Sequence, residues 1–193
     1  MAVRALKIRS FRETDTSAAV ALWRDCGLIR PWSDPYKDIE RKSHCQPELF
    51  LVGTLSADSQ GADVLVATAM AGYDGHRGSV YYLAVAPGQR QMAIGRTLME
   101  GVEHRLLALD CPKVNVFVPA SNASVPSFYD KLGYARDDAF SLGKRLIPDI
   151  GKLGDGLNPS PCFGRKKTAA CAAVFEFGAQ ERTRTSTMLL AST

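Results

Sequence analysis

The chain is poor in the residues from which metal sites and covalent frameworks are built. Only three histidines occur, His44, His76 and His104, and their spacing is not that of metal ligands. The five cysteines, Cys26, Cys45, Cys111, Cys162 and Cys171, are odd in number and include no C-x-x-C pair. Neither a disulfide framework nor a zinc site is indicated, and reduced thiols are expected. No apolar run reaches the roughly 18 residues that a membrane helix needs, and the opening "MAVRALKIRSF" lacks the apolar stretch of a secretory signal. A cytoplasmic location without a membrane partner is therefore the expectation. The formal net charge of +4 is too small to argue for nucleic acid. Two phosphate signatures are also absent: there is no G-x-x-x-x-G-K-[ST], and no G-x-G-x-x-G follows the first strand.

What remains is an ordinary globular composition, 46% hydrophobic and 23% charged over 193 residues, which suits one compact domain with an appendage. "LKIRSF" reads as a strand. "TDTSAAVALWRDCG" reads as a helix that Thr14 or Asp15 can cap and that Gly27 ends. A polar helix is predicted to start near Ser33 or Asp34. "LFLVGTL" and "DVLVATAMAGY" are strands joined through "SADSQGA", and "DGHRG" turns the chain into a further strand, "SVYYLAVAP". A long helix is predicted from Gln91 to Leu109, with Ile94, Leu98, Val102 and Leu106 forming its apolar stripe. "KVNVFVP" is a strand, and a short helix follows from Asn122 or Ser124. Its Pro126 is tolerable only in a first turn, and Gly133 is placed to end it in a left-handed cap. "SLGKRLI" is the last predicted strand.

This order predicts a mixed α/β sheet whose first half is an antiparallel meander, and it excludes a repeating βαβ fold. The expected domain covers residues 1–148. Beyond it, residues 149–193 are rich in Gly and Pro and then lose any period, so an extension without its own core, poorly ordered, is expected. "AACAAVFEF" is the one part of it able to dock as a short helix or strand.

Two segments carry chemistry. In "YYLAVAPGQRQMAIGRTLM" a strand breaks at Pro87-Gly88, passes Arg90 and opens into the long helix. The first N–H groups of a helix lack intrahelical partners, and its dipole adds positive potential, so such a junction suits a phosphate or pyrophosphate. Ala93 and Gly95 keep side chains out of the approach, while Arg90 and Arg96 add charge. The same small residues also fit a plain helix start packed on a sheet. In "NASVPSFYDKLGY", Asn122 and Tyr129 lie seven residues apart, about two helical turns, so both can face one groove. A phenol there can donate a proton and an Asn can hold a ligand amide or hydroxyl, although a tyrosine at such a position also serves as packing.

Taken together, these segments resemble the two signature segments of the GNAT superfamily of acetyl-CoA-dependent N-acetyltransferases: an [Arg/Gln]-x-x-Gly-x-[Gly/Ala] turn and an Asn…Tyr-x-x-x-Gly-[Phe/Tyr] helix. The element order of residues 1–148 is similar to that fold, a largely antiparallel mixed sheet flanked by helices. Within the superfamily, "LWRDCGLIRPWSDPYKDIERK", "AGYDGHRGS" and "FSLGKRL" resemble the YpeA group of bacterial acetyltransferases.

The resemblance implies acetyl-CoA as cosubstrate, no metal, and an amine-bearing acceptor, small molecule or protein. It implies that the backbone N–H groups of Gln91, Met92, Ala93, Gly95 and Arg96 face the pyrophosphate, with Arg90 beside them. Leu83 to Val85 would pair with the pantetheine arm, the Val85 N–H would polarise the acetyl carbonyl, Asn122 would hold the arm, and Tyr129 would protonate the departing thiolate. Pairing of sheet edges into a homodimer is common in the fold.

Two departures stand out. Ala93 occupies the position of the turn's first glycine, and Phe117 occupies that of the glutamate base found in related ribosomal-protein acetyltransferases. Asp34, Asp74 and His76 are the alternative bases, and Trp32 and Tyr36 either line an acceptor pocket or pack on the sheet. A CoA-binding or sensor module of the same fold, impaired in catalysis, is the alternative reading.

Overall fold

A computed structural model describes residues 5–56, 63–119, 122, 125–147 and 149. Strand β1 (Leu6–Ser10) leads into helices α1 (Thr16–Asp25) and α2 (Pro35–Ser43). Strands β2 (Phe50–Leu55), β3 (Val64–Tyr73) and β4 (Gly78–Val85) follow, then helix α3 (Ile94–Leu107), strand β5 (Val114–Val116) and helix α4 (Pro126–Asp130). The sheet order is β1-β2-β3-β4-β5. The first four strands pair antiparallel, and β5 joins β4 in parallel through Gly78↔Val114, Ser79↔Asn115 and Val80↔Val116. A parallel pair needs a crossover, and α3 supplies it.

Alternation along the strands gives each face its own core. Ala67, Ala69 and Ala71 of β3 meet the predicted stripe of α3, in which Leu98 and Leu106 are fully buried. Met70 and Phe50 turn the other way, onto Ala19, Val20 and Trp23 of α1 and Ile39 of α2. Gly27 ends α1 in the left-handed region, with φ of 67°, and Gly133 follows α4 likewise with φ of 87°. Both caps agree with the sequence reading.

Several local expectations are corrected. Asp15 precedes α1 but makes no cap bond. Its carboxylate is taken by the Arg9 guanidinium in two contacts of 2.7 and 2.9 Å and by the Arg12 N–H at 2.8 Å. That fork is stronger than a neutral cap, and it ties β1 to α1. Asp34, in contrast, does cap α2, accepting from the Tyr36 N–H at 3.0 Å.

The last predicted strand does not form. Residues 141–147 take no strand pairing, and Leu142 and Leu146 are 94% and 84% exposed. Alternating side chains make a strand only where an edge receives it, and this segment is drawn elsewhere: Arg145 donates to the Trp32 carbonyl at 2.8 Å. The "SADSQGA" connection, apart from Ser56, and the extension beyond 149 lie outside the described residues.

Candidate active site

The end of β4 is irregular for an identifiable reason. Thr68 stands opposite Ala84 and Met70 opposite Tyr81, so Tyr82 and Leu83 together oppose Ala69 in a β-bulge. Tyr82 has φ of 50°, a left-handed conformation that costs a non-glycine residue about 1 kcal/mol. Its surroundings hold it there. Its ring stacks on buried Trp23 at 3.9 Å, its carbonyl accepts from Thr68 Oγ1 at 2.9 Å, and Thr68 Oγ1 accepts from Trp23 Nε1 at 2.8 Å. Its hydroxyl donates to Asp38 Oδ2 of α2 at 2.6 Å. Burial first, and then the Asp38 carboxylate, push this phenol well above the ordinary tyrosine range.

Beyond the bulge, the Ala86 N–H bonds back to Val66 of β3 at 2.8 Å. Alternation then turns the Val85 N–H away from β3, toward the side where β5 lies. Because β5 accompanies β4 only over Gly78–Val80, β4 from Tyr81 to Val85 has an open edge among the described residues. Leu83 and Val85 sit on that edge.

The chain next makes the turn singled out in the sequence. α3 starts at Ile94 rather than Gln91, because Gln91 and Ala93 both adopt left-handed backbone, with φ of 68° and 57°. Ala93 has no side-chain acceptor to offer the helix, and among the described residues no acceptor meets the Gly95 and Arg96 N–H groups. The turn therefore presents backbone donors to solvent, with Gln91, Met92 and Ala93 exposed around them. The Arg90 guanidinium approaches Cys26 Sγ at 4.0 Å, at the end of α1. Arg96 is partly engaged: its guanidinium donates to the Lys131 carbonyl at 3.2 Å.

That contact brings α4 beside the turn. Gly95 lets the neighbouring side chains pack closely here. A Cβ at this position would stand 3.3 Å from Phe128 Cζ and 3.5 Å from Val85 Cγ2. Phe128 thus seals the corner where β4, α3 and α4 meet. Tyr129 packs edge-on against Phe128 at 5.1 Å and Tyr134 at 5.5 Å. Burial pushes its phenol up to about 12, so at neutral pH it keeps its proton. Tyr134 in turn donates to Glu103 of α3 at 2.7 Å.

Asn122 and Tyr129 do line one cleft, of about 1770 Å³, between α3, the outer side of β5 and residues 132–141. The helical spacing argued for them is corrected, however: α4 begins at Pro126, so Asn122 precedes it. Leu83, Val85 and the 90–96 turn are not among the residues that line that cleft, and Phe128 stands beside Gly95 and next to Tyr129.

The alternative bases fare unequally. Asp74 accepts from the N–H groups of His76 and Arg77 at 2.8 and 2.7 Å, and these bonds, Arg77 first, hold its carboxyl below the usual range. It is a turn residue. Its hairpin joins β4 at Gly78, the end remote from Val85 by about 23 Å at 3.3 Å per residue, so neither Asp74 nor His76 borders the site. Asp34 is spent on its cap. Phe117 stacks on Tyr81 at 5.7 Å and carries no proton chemistry. Trp32 and Tyr36 are each 54% exposed, so neither is core packing. Sequence reasoning missed Tyr82 and Asp38, whose pairing spans 44 positions and depends on a bulge that no periodicity announces. Among the described residues no cluster of three His, Cys, Asp or Glu could hold a metal.

An open β4 edge thus runs into a donor-rich turn in a mixed sheet of this order. The model of the acetyltransferase (GNAT) family matches residues 10–134, and the chain belongs to that family. It is an N-acetyltransferase in class. Solved structures share the fold. The NatC complex bound to Gag peptide and CoA is 18% identical over 69% of this chain and 86% of its own, with a TM-score of 0.59. The AAC(6')-Iy enzyme, bound to a bisubstrate analogue of CoA and acetylneamine, is 15% identical over 74% of this chain and 99% of its own, TM-score 0.58. Glucosamine-6-phosphate N-acetyltransferase from Arabidopsis thaliana is 16% identical over 74% and 99%, TM-score 0.53.

Proposed function

We propose that the chain transfers the acetyl group of acetyl-CoA to a primary amine by direct attack, with both substrates held together. The observation that carries this reading is the continuity of the unpaired β4 edge with the left-handed turn and the uncapped start of α3. In it, the N–H groups of Gln91, Met92, Ala93, Gly95 and Arg96 receive the pyrophosphate, with Arg90 adding charge. Leu83 and Val85 pair with the extended arm as a further strand would. The Val85 N–H polarises the acetyl carbonyl, and Asn122 steadies the arm.

The neutral amine's lone pair attacks the carbonyl carbon, and the C–S bond breaks. The thiolate takes the Tyr129 proton, and the amine's surplus proton leaves to water. Tyr129 then recovers its proton from solvent. No covalent enzyme intermediate is needed, so proximity supplies much of the rate. The Tyr129 hydroxyl is protonated at neutral pH, the state in which it can donate, and burial holds it so.

Of the fold neighbours, one is bound to a Gag peptide, one to a bisubstrate analogue that carries acetylneamine, and one is named for glucosamine-6-phosphate. The fold thus leaves open whether the acceptor is a small molecule or a protein. Finer readings belong to the same proposal: a place in the YpeA group, a cytoplasmic site of action, homodimer formation, and a domain ending near residue 148.

Calorimetric titration with acetyl-CoA, with CoA alongside, tests the groove. Micromolar binding that Arg90→Ala weakens about tenfold supports it, at about 1.4 kcal/mol; no binding overturns it. Tyr129→Phe then separates catalysis from binding. Transfer to a panel of amines (spermidine, kanamycin, a peptide with a free N-terminus) should fall while acetyl-CoA affinity holds. The strained Ala93 favours one second reading, a CoA-binding module without turnover, which wins if wild-type protein binds acetyl-CoA and acetylates none of the panel.

A further inference from the structure

The reading above leaves unused a set of charges on the α1/α2 face. The Arg41 guanidinium stands at its crossing. One nitrogen, Nη2, donates to Asp38 Oδ1 at 2.6 Å and to Asp149 Oδ2 at 2.5 Å. The second oxygen of Asp38 holds the Tyr82 hydroxyl at the bulge of β4, at 2.6 Å. The second oxygen of Asp149 faces Lys37 Nζ at 3.6 Å. Asp149 is 8% exposed although it lies 108 positions from Arg41. Four residues before it, Arg145 is fastened to the Trp32 carbonyl. Arg145 therefore anchors on the α1–α2 connection and Asp149 on α2.

α2 depends on such ties. It is nine residues long, and only Pro35, Ile39 and Lys42 are buried in it. A helix this short is marginal by itself and is placed by its contacts. Its apolar anchorage is one isoleucine with a proline, and the polar chain Asp149–Arg41–Asp38–Tyr82 adds a second tie to β4. Trp32 and Tyr36 ride on the same clamped segment with their rings exposed. At its near end Cys26 touches the Val85 carbonyl at 3.4 Å. The segment from Cys26 to α2 thus touches β4 at Val85 and at Tyr82, and we read it as one wall of the β4 groove.

We propose that Asp149 is a positioning residue for that wall. Through Arg41 and Asp38 it holds α2 and Tyr82 in place, so the root of the C-terminal extension tunes how the amine acceptor is received. This rests on the groove assigned under the proposed function. Asp149 touches no reacting atom, and acetyl-CoA, received by the turn at the start of α3, is outside its reach.

Hydrogen exchange on the full chain tests it, comparing wild type with Asp149→Asn, Asp149→Glu and the charge swap Arg41→Asp/Asp149→Arg. Asp149→Asn should speed exchange over 38–43 and at Tyr82 about tenfold, and leave α3 unchanged. Asp149→Glu, which keeps the charge, should restore most of the protection, and the swap part of it. Acetyl-CoA affinity should stay within about twofold, while KM for the best amine of the panel rises about tenfold with kcat little changed. Unchanged exchange in Asp149→Asn overturns the proposal, and so does equal loosening of α3. A changed acetyl-CoA affinity overturns its confinement to the acceptor side. Failure of wild-type protein to bind acetyl-CoA overturns the groove instead, and with it the acceptor role, while α2 exchange still reports whether the clamp exists.

Discussion

The two faces of the sheet are held by different forces. Under α3 the contacts are apolar: Leu49, Leu51, Ala67, Ala69, Leu98, Met99, Val102 and Leu106 close on one another. Under α1 and α2 the core is threaded by polar links, from Trp23 through Thr68 to the Tyr82 carbonyl, and from the Tyr82 hydroxyl through Asp38 to Arg41 and Asp149. Apolar burial is non-directional and scales with area, so the α3 face supplies stability and a rigid helix start. Hydrogen bonds are directional and modest in net energy, so the other face supplies position. The groove assigned to acetyl transfer runs between the two.

Substitutions on each face should separate these contributions. The largest effect is expected from Leu98→Ala, at a fully buried site, which should cost about 3 kcal/mol in denaturant unfolding. A loss below 1 kcal/mol would mean that the α3 face carries less than its burial implies.

Asp15→Asn should cost about 2 kcal/mol, by breaking the Arg9 fork between β1 and α1. The wild-type pH dependence has a definite sign. The Arg9 hydrogen bonds, ahead of the Arg12 N–H, hold the Asp15 carboxyl below its ordinary value. Its stabilisation is full above the unfolded value near 3.9 and fades as pH falls through the lowered folded value. Thermal melts between about pH 5 and pH 2 should therefore show a smaller decline in Asp15→Asn than in wild type.

Tyr82→Phe keeps the Trp23 stack and removes only the Asp38 bond, so about 1 kcal/mol is expected. A loss as large as that of Leu98→Ala would place the polar face on a par with the apolar one.

The smallest effect is a gain. Ala93→Gly relieves a left-handed residue but adds freedom to the unfolded chain, leaving a net stabilisation of about 0.5 kcal/mol. If the turn receives the pyrophosphate, acetyl-CoA should also bind somewhat more tightly; weaker binding in this variant counts against the turn.

Much of this was legible in advance. The α3 stripe could be read because helical burial repeats every three to four residues, and the glycines after α1 and α4 because left-handed caps favour them. The β4–α3 junction was readable from Pro87-Gly88, Arg90, Ala93 and Gly95. Less was readable where long-range partners decide. The 141–147 segment alternates like a strand, yet nothing local states that no edge receives it. Asp74 and His76 looked available as bases until the topology placed their turn at the far end of β4. Asp15 looked like a cap until β1 brought Arg9 within its reach.

By itself the sequence determined the element order as far as α4, the apolar stripe of α3 and the junction of β4 with α3, because local propensity and periodicity act over a few residues at a time. Only the tertiary structure decided that Tyr82 bulges out of β4 onto Asp38. It likewise decided that Phe128 fills the space above Gly95, and that Asp149 closes on Arg41. Each of these joins residues at least 33 positions apart, and their geometry exists only once the sheet and both helical layers are assembled.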